Sequence, residues 1–135
     1  MTIRELVSRA HENAARHGFW DKPLEFGTSI ALIHSELSEA LEEHRQGKPM
    51  LYFEKNRCKE SGRICIPDAQ DECPENPEEC GCFILGKPEG IAAELADAVI
   101  RIADLCGALG IDLEEVIAEK MKYNEGRPYR HGKKY

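Results

Sequence analysis

A seven-residue pattern occurs twice in this chain: Ser35-Glu36-Leu37-Ser38-Glu39-Ala40-Leu41 and Ala93-Glu94-Leu95-Ala96-Asp97-Ala98-Val99. Both copies run small, acid, Leu, small, acid, Ala, aliphatic. At about 100° per residue, the two acids of each copy stand about 60° apart on a helix, and the aliphatic stripe begins beside them. Packing the two stripes against each other therefore brings Glu36, Glu39, Glu94 and Asp97 to one edge of a shared interface. Four carboxylates so placed repel: at an effective dielectric of about 20, two charges about 4 Å apart cost on the order of 4 kcal/mol. Such a cluster protonates, splays or holds a cation. A single acid pair three residues apart is ordinary on a solvated helix face. Two matching pairs, each beside a core stripe, favour the cation.

The rest of the chain reads as helix around this pair. Ile3, Leu6, Val7, Ala10 and Ala14 follow helical spacing and predict a first helix ending at Gly18. Pro23 suits the first turn of a second, over about 23–46, whose face carries Ile30, Ile33, Leu37, Leu41 and His44 until Gly47 and Pro49. A third starts near Glu89 and carries Ile91, Leu95, Ala98, Val99, Ile102 and Leu105 until Gly107 and Gly110. Asp112 with Glu115 reads as a capping box for a fourth, through about Asn124. None of the four alternates like a strand. The expectation is an all-α bundle of four to five helices in one domain spanning 1–135.

That domain is interrupted by an insert at about 48–88, where Pro, Gly and Asn recur and five of the six cysteines gather. Its runs Leu51-Tyr52-Phe53 and Cys82-Phe83-Ile84-Leu85 form either a short β-hairpin or an irregular loop. Cys58, Cys65, Cys73, Cys80 and Cys82 lack the Cys-x-x-Cys pairs typical of zinc ribbons. Two readings stand for them, reduced thiols in a loop or a structural Zn2+ site.

A net charge of -7 argues against a general affinity for nucleic-acid phosphates. Met1-Thr2-Ile3-Arg4-Glu5 lacks the apolar run of a secretory leader, and no segment approaches the roughly 18 apolar residues of a membrane span. The expected setting is cytoplasmic, with no membrane and no nucleic acid among the partners, and with thiols kept reduced.

The charge is nonetheless uneven. From Lys120 onward, Lys120, Lys122, Arg127, Arg130, Lys133 and Lys134 stand against Glu125 alone. This is either a solvated tail or an anion clamp. In the fourth helix Leu113, Val116, Ile117 and Met121 form the apolar arc, and Lys120 and Asn124 fall inside it. Lys120, Asn124 and Arg127 then follow at four and three residues along one side, and Arg130, His131 and Lys133 continue past Pro128. Such a row of donors suits phosphate oxygens beside a metal. Arg101, one turn beyond Asp97, reads as an ion-pair partner for the acids or as a phosphate contact.

An all-carboxylate ligand set suits a hard divalent ion, and Mg2+ in particular combines a few carboxylates with waters and a substrate phosphate. A redox di-iron bundle wants Glu-x-x-His on two helices. The residues three before the five histidines are Ser8, Ala14, Ala31, Leu41 and Pro128, which rules against it.

Glu36-x-x-Glu39, then Glu94-x-x-Asp97, then Lys120-Met-Lys-Tyr-Asn124-Glu-Gly-Arg127-Pro-Tyr-Arg130-His131-Gly132-Lys133, resembles the all-α nucleoside triphosphate pyrophosphohydrolases, specifically their MazG-like branch. The resemblance covers nearly all of the chain outside the Cys-rich insert, in which this sequence departs from the compact members. It implies a helical homodimer or homotetramer that hydrolyses (d)NTPs to the monophosphate and pyrophosphate, a nucleotide pool clean-up reaction. It implies Mg2+, with Mn2+ as a substitute, held by Glu36, Glu39, Glu94 and Asp97. It assigns phosphate contacts to Lys120, Asn124 and Arg127, with His131 and Lys133 beside them.

The implied reaction is attack of water on the α-phosphorus with pyrophosphate leaving, Lys120 and Arg127 offsetting the charge that builds on it. Which acid accepts the water's proton stays open, with Glu39 the first candidate. Phe19 and Trp20 read either as core plugs at a helix turn or, Trp20 above all, as a surface on which a base stacks. Two rivals remain: another member of the superfamily, such as a dUTPase-like, dCTPase-like or phosphoribosyl-ATP pyrophosphohydrolase, and a non-catalytic scaffold with a vestigial acid cluster.

Overall fold

A computed structural model of the protein describes residues 1–53 and 87–132. The five insert cysteines, the run Cys82–Leu85 and Lys133 lie outside the described residues. Among those described, the chain is mostly helical: α1 (Ile3–Arg16), α2 (Phe26–Arg45), α3 (Ile91–Leu109) and α4 (Leu113–Glu125), with strands β1 (Tyr52–Phe53) and β2 (Pro88–Glu89) and a closing 3-10 turn (Tyr129–Gly132). No described helix is long and apolar enough to cross a membrane. The fold divides into two compact units, Met1–His34 with Ala98–Tyr135, and Ser35–Asp97.

In the first unit, α1 begins at a complete capping box. Thr2 Oγ1 accepts from Glu5 N at 3.1 Å, and Glu5 Oε2 accepts from Thr2 N at 2.7 Å. Glu114, from the first turn of α4, adds an acceptor for Ile3 N and Arg4 N at 3.1 and 3.3 Å. The Arg4 guanidinium returns the contact, 2.8 Å from Glu114 and 3.0 Å from Asp112. Asp112 thus serves twice, since it also caps α4 by accepting from Glu115 N at 3.2 Å. That backbone donor, followed by Arg4, holds its carboxyl below the usual range against the cost of burial.

Of the two glycines that read as the end of the third helix, the second is the stop. Gly107 lies inside α3, and the stop falls at Gly110, whose φ of +66° and the bond from Ile111 N to Cys106 O at 2.9 Å form a left-handed C-terminal cap. Gly107 answers a different need. A Cβ there would stand 2.5 Å from His11 Cβ, so the glycine is what lets α1 approach α3. Beside this contact, Asp104 Oδ1 accepts from His11 Nδ1 at 2.9 Å and from Trp20 Nε1 at 2.8 Å. The His11 and Trp20 rings meet edge to face at 5.3 Å. Ala98, Ala103, Leu105 and Cys106 are buried in this unit.

Helix α2 starts at Phe26 rather than Pro23 and runs to Arg45, its residues from Ser35 onward belonging to the second unit. Pro88 and Glu89, expected to lead into the third helix, are instead strand residues. They pair antiparallel with β1 in the register Tyr52↔Glu89 and Phe53↔Pro88. Gly90 makes the turn into α3 at φ +103°, where a Cβ would lie 2.8 Å from the carbonyl oxygens of Pro49 and Met50. Met50 O accepts from Ala92 N, and Gly90 O from Ala93 N and Glu94 N, which seats the first turn of α3. Across β1, Glu43 accepts from Lys48 at 2.8 Å and from Tyr52 OH at 3.0 Å. Lys48, then Tyr52, keep the Glu43 carboxyl below its ordinary range despite desolvation.

Candidate metal centre

Among its described residues the second unit buries three small ones, Ala40, Gly90 and Ala93, and two acids, Glu36 and Glu94, each acid only 6% exposed. The aliphatic residues of the repeated pattern do not share that burial: Leu37, Leu41 and Leu95 are 45%, 48% and 47% exposed. The acids and small residues, not the leucines expected to form the interface, are what this unit encloses.

Glu36 and Glu39 lie one turn apart on α2, and Glu94 lies in the first turn of α3. Each offers one carboxylate oxygen, and the three oxygens lie within 4.8 Å of one another. Three of the four acids in the repeat are therefore brought together. Asp97, a turn further along α3 and exposed, is not in that set, though its charge reaches Glu94. Burial pushes the Glu94 carboxyl above its ordinary range, and Glu39, Glu89, Asp97 and Glu36 push it the same way. Burial and these neighbouring carboxylates thus all favour the neutral form of Glu94.

Such a group is costly to leave charged in a dry site. The charge becomes tolerable once a cation shares the carboxylates. Three converging oxygens with no nitrogen or sulfur among them fit a hard divalent ion such as Mg2+ or Mn2+, leaving the remaining positions for water and substrate oxygens. Glu39 is exposed while Glu36 and Glu94 are buried, so the set opens to solvent on the Glu39 side.

The basic row sits in the first unit. Lys120 and Asn124 are exposed on α4, so Lys120 escapes the desolvation that its place in the apolar arc implied; Val116 and Met121 of that arc are themselves 49% and 58% exposed. The Lys120 ammonium and the Arg127 guanidinium both lie over the Tyr123 ring, at 5.6 and 5.8 Å. Arg127 also lines an open cleft of about 690 Å³ with Glu119, Lys122, Tyr123, Gly126 and Pro128. His131 falls in the 3-10 turn. Trp20 is half-buried, its indole N–H committed to Asp104.

Sequence reasoning placed Glu89 at the head of a helix, whereas it ends a strand. Its signal was the preceding Pro88 and following Gly90, which suit a strand end and turn as well as a helix start. It also missed the His11–Asp104–Trp20 contact, for which no local signal exists because the three residues belong to distant segments.

What fold and cluster define together is a helical protein with an all-carboxylate candidate site for a hard divalent cation. No family model, no curated protein and no solved structure matches the chain.

Proposed function

We propose that this chain is a MazG-like nucleoside triphosphate pyrophosphohydrolase with the all-α architecture of that group, converting (d)NTPs to the monophosphate and pyrophosphate. One observation carries the reading: Glu36, Glu39 and Glu94, picked out from an internal sequence repeat, offer oxygens within 4.8 Å of one another. Mg2+ or Mn2+ at that set supplies neutralising charge for phosphate oxygens and lowers the pKa of bound water. Glu36 and Glu94, buried, hold their oxygens in fixed positions. Glu39, the solvent-facing member, is the acid best situated to take a proton from the attacking water. Asp97 serves as the fourth acid. The resemblance assigns the phosphates to Lys120, Asn124 and Arg127, with His131 and Lys133.

The half-exposed Leu37, Leu41 and Leu95 support self-association as a homodimer or homotetramer, because aliphatic area of that kind is stabilised by a second copy. Sedimentation analysis checks the stoichiometry.

The deciding experiment incubates the protein with Mg2+ or Mn2+ and each common NTP and dNTP, identifying products as well as rates. Monophosphate and pyrophosphate in equal amounts support the proposal, and the preferred substrate separates it from dUTPase-like, dCTPase-like and phosphoribosyl-ATP-cleaving relatives. Glu39→Gln and Asp97→Asn are expected to lose metal-dependent turnover while keeping helical content by circular dichroism. Background release from every triphosphate, or full activity in both variants, defeats it and leaves the scaffold reading.

A further inference from the structure

The basic row on α4 has a feature that phosphate contact alone does not require: two of its cations share one aromatic ring. The Lys120 ammonium lies 5.6 Å, and the Arg127 guanidinium 5.8 Å, from the centre of the Tyr123 ring. The residues three and four away from Lys120 along the helix are Val116, Ile117, Tyr123 and Asn124, none of them acidic. At the helix end Gly126 keeps the α conformation, with φ -80° and ψ -4°, and Arg127 N donates to Asn124 O at 3.1 Å. The turn therefore continues and brings Arg127 one turn beyond Tyr123. Glu119 and Glu125 stand three residues either side of Lys122 and belong to a different row. Among the described residues neither Lys120 nor Arg127 is ion-paired to a carboxylate. Tyr123 itself does not serve the core, being 64% exposed.

We infer that Tyr123 is a positioning residue, its ring holding Lys120 and Arg127 as a pair for one polyphosphate. This rests on the reading that gives phosphates to those two cations, and deepens it by naming what holds them. A long basic side chain on a solvated helix face samples many rotamers, and an anion that captures it must freeze them. Contact with a ring beforehand removes part of that cost. A carboxylate would do the same but would also neutralise the charge and compete with the incoming anion. The ring leaves both charges in place. Two like charges gathered at one ring repel each other, and an anion that touches both relieves the repulsion. They are no farther apart than the sum of their distances to the ring centre, so a chain of three phosphates reaches both. Tyr123 and Arg127 also line, with Lys122, the open cleft of about 690 Å³, through which such an anion arrives from solvent.

The test is a calorimetric titration of the full chain with inorganic tripolyphosphate, at low salt and in EDTA so that no metal takes part, on variants first shown to keep wild-type helical content. Tyr123→Leu is expected to weaken binding about fivefold, the scale of an exposed cation–ring contact on each of two side chains. Tyr123→Gln, a second variant without a ring, is expected to match it. Tyr123→Phe keeps the ring and is expected to stay within about twofold of wild type, a rescue that a hydroxyl contact to phosphate would not give. In an Arg127→Gln background the Tyr123→Leu effect is expected to shrink to about twofold, because one charge is left for the ring to hold. If the two ringless variants bind as wild type does, if Phe loses as much as Leu, or if the Leu effect is undiminished without Arg127, the ring does not position the pair and the inference is overturned. A wild-type chain that binds no tripolyphosphate overturns it as well. Turnover of nucleoside triphosphates with Mg2+ is scored separately: tripolyphosphate binding with this pattern but no turnover defeats the pyrophosphohydrolase reading and leaves the inference standing, whereas turnover without the pattern does the reverse.

Discussion

Glu94→Gln tests the electrostatics of the site without any assumption about substrate. Glu36 and Glu94, both buried, offer oxygens within 4.8 Å. At an effective dielectric of about 20, two full charges at that separation repel by about 3.5 kcal/mol. Charge spread over both oxygens, water on the exposed Glu39 side and salt all reduce this. The amide also brings two N–H donors that must find acceptors, a need the carboxylate did not have. A net gain of about 1–2 kcal/mol is therefore expected when the charge is removed from the metal-free protein at pH 7.5. For a chain of 135 residues that corresponds to a rise in Tm of roughly 3–8 °C.

The pH dependence follows from the raised Glu94 carboxyl, whose ordinary value is 4.5. A group whose pKa is higher in the fold than in the unfolded chain contributes stability that is fully present below the unfolded value and lost as pH rises through the folded one. Wild type and variant should thus converge near pH 4 and separate above it. Divalent cation reverses the order: at 100 times its Kd, Mn2+ stabilises wild type by about 2.7 kcal/mol and the variant by much less. Melts at 222 nm in EDTA and in Mn2+, at pH 4 and 7.5, measure both effects. A variant that melts no higher than wild type in EDTA at pH 7.5, or gains as much from Mn2+, refutes the reasoning.

Further outcomes concern the scaffold. Gly107→Ala gains about 1 kcal/mol of helix propensity but drives a methyl to 2.5 Å from His11 Cβ, and overpacking of about 1–3 kcal/mol should leave it less stable by urea titration; an equal or higher midpoint would show that α1 yields freely. Gly90→Ala combines φ +103° with two carbonyl oxygens at 2.8 Å and should cost about 2 kcal/mol or more, together with Mn2+ affinity, because the same turn seats Glu94. Trp20→Phe deletes the donor to Asp104 at 2.8 Å and should lower stability by about 1–2 kcal/mol, whereas an unchanged midpoint would make that bond dispensable. Cys106, buried and with its thiol pushed up by that burial, should resist iodoacetamide in the native chain and react on unfolding, as peptide mass mapping can show.

The acid cluster was legible because helical period is a local property. The spacing Glu36-x-x-Glu39 and Glu94-x-x-Asp97, each beside Ala and Leu, fixes angles on a helix before any packing is known. The helix ends at Gly18 and Gly110 were legible for the same reason, since a left-handed φ is set by neighbouring atoms. Reading failed where a local signal had two meanings. Pro88 suits the first turn of a helix and the edge of a strand alike, and only pairing with Phe53 decides between them. Gly107 reads as a helix stop until His11 is found against it.

By itself, then, the sequence determined the helical segments, the Asp112 cap, the glycine stops and the face on which four carboxylates stand, all consequences of contacts a few residues long. Which acids are enclosed, that Glu94 rather than Asp97 completes the close set, and that the leucines beside them stay half-exposed were decided only in three dimensions. Burial and the convergence of charges from separate elements depend on how distant segments meet, and no spacing along one chain encodes that separation directly.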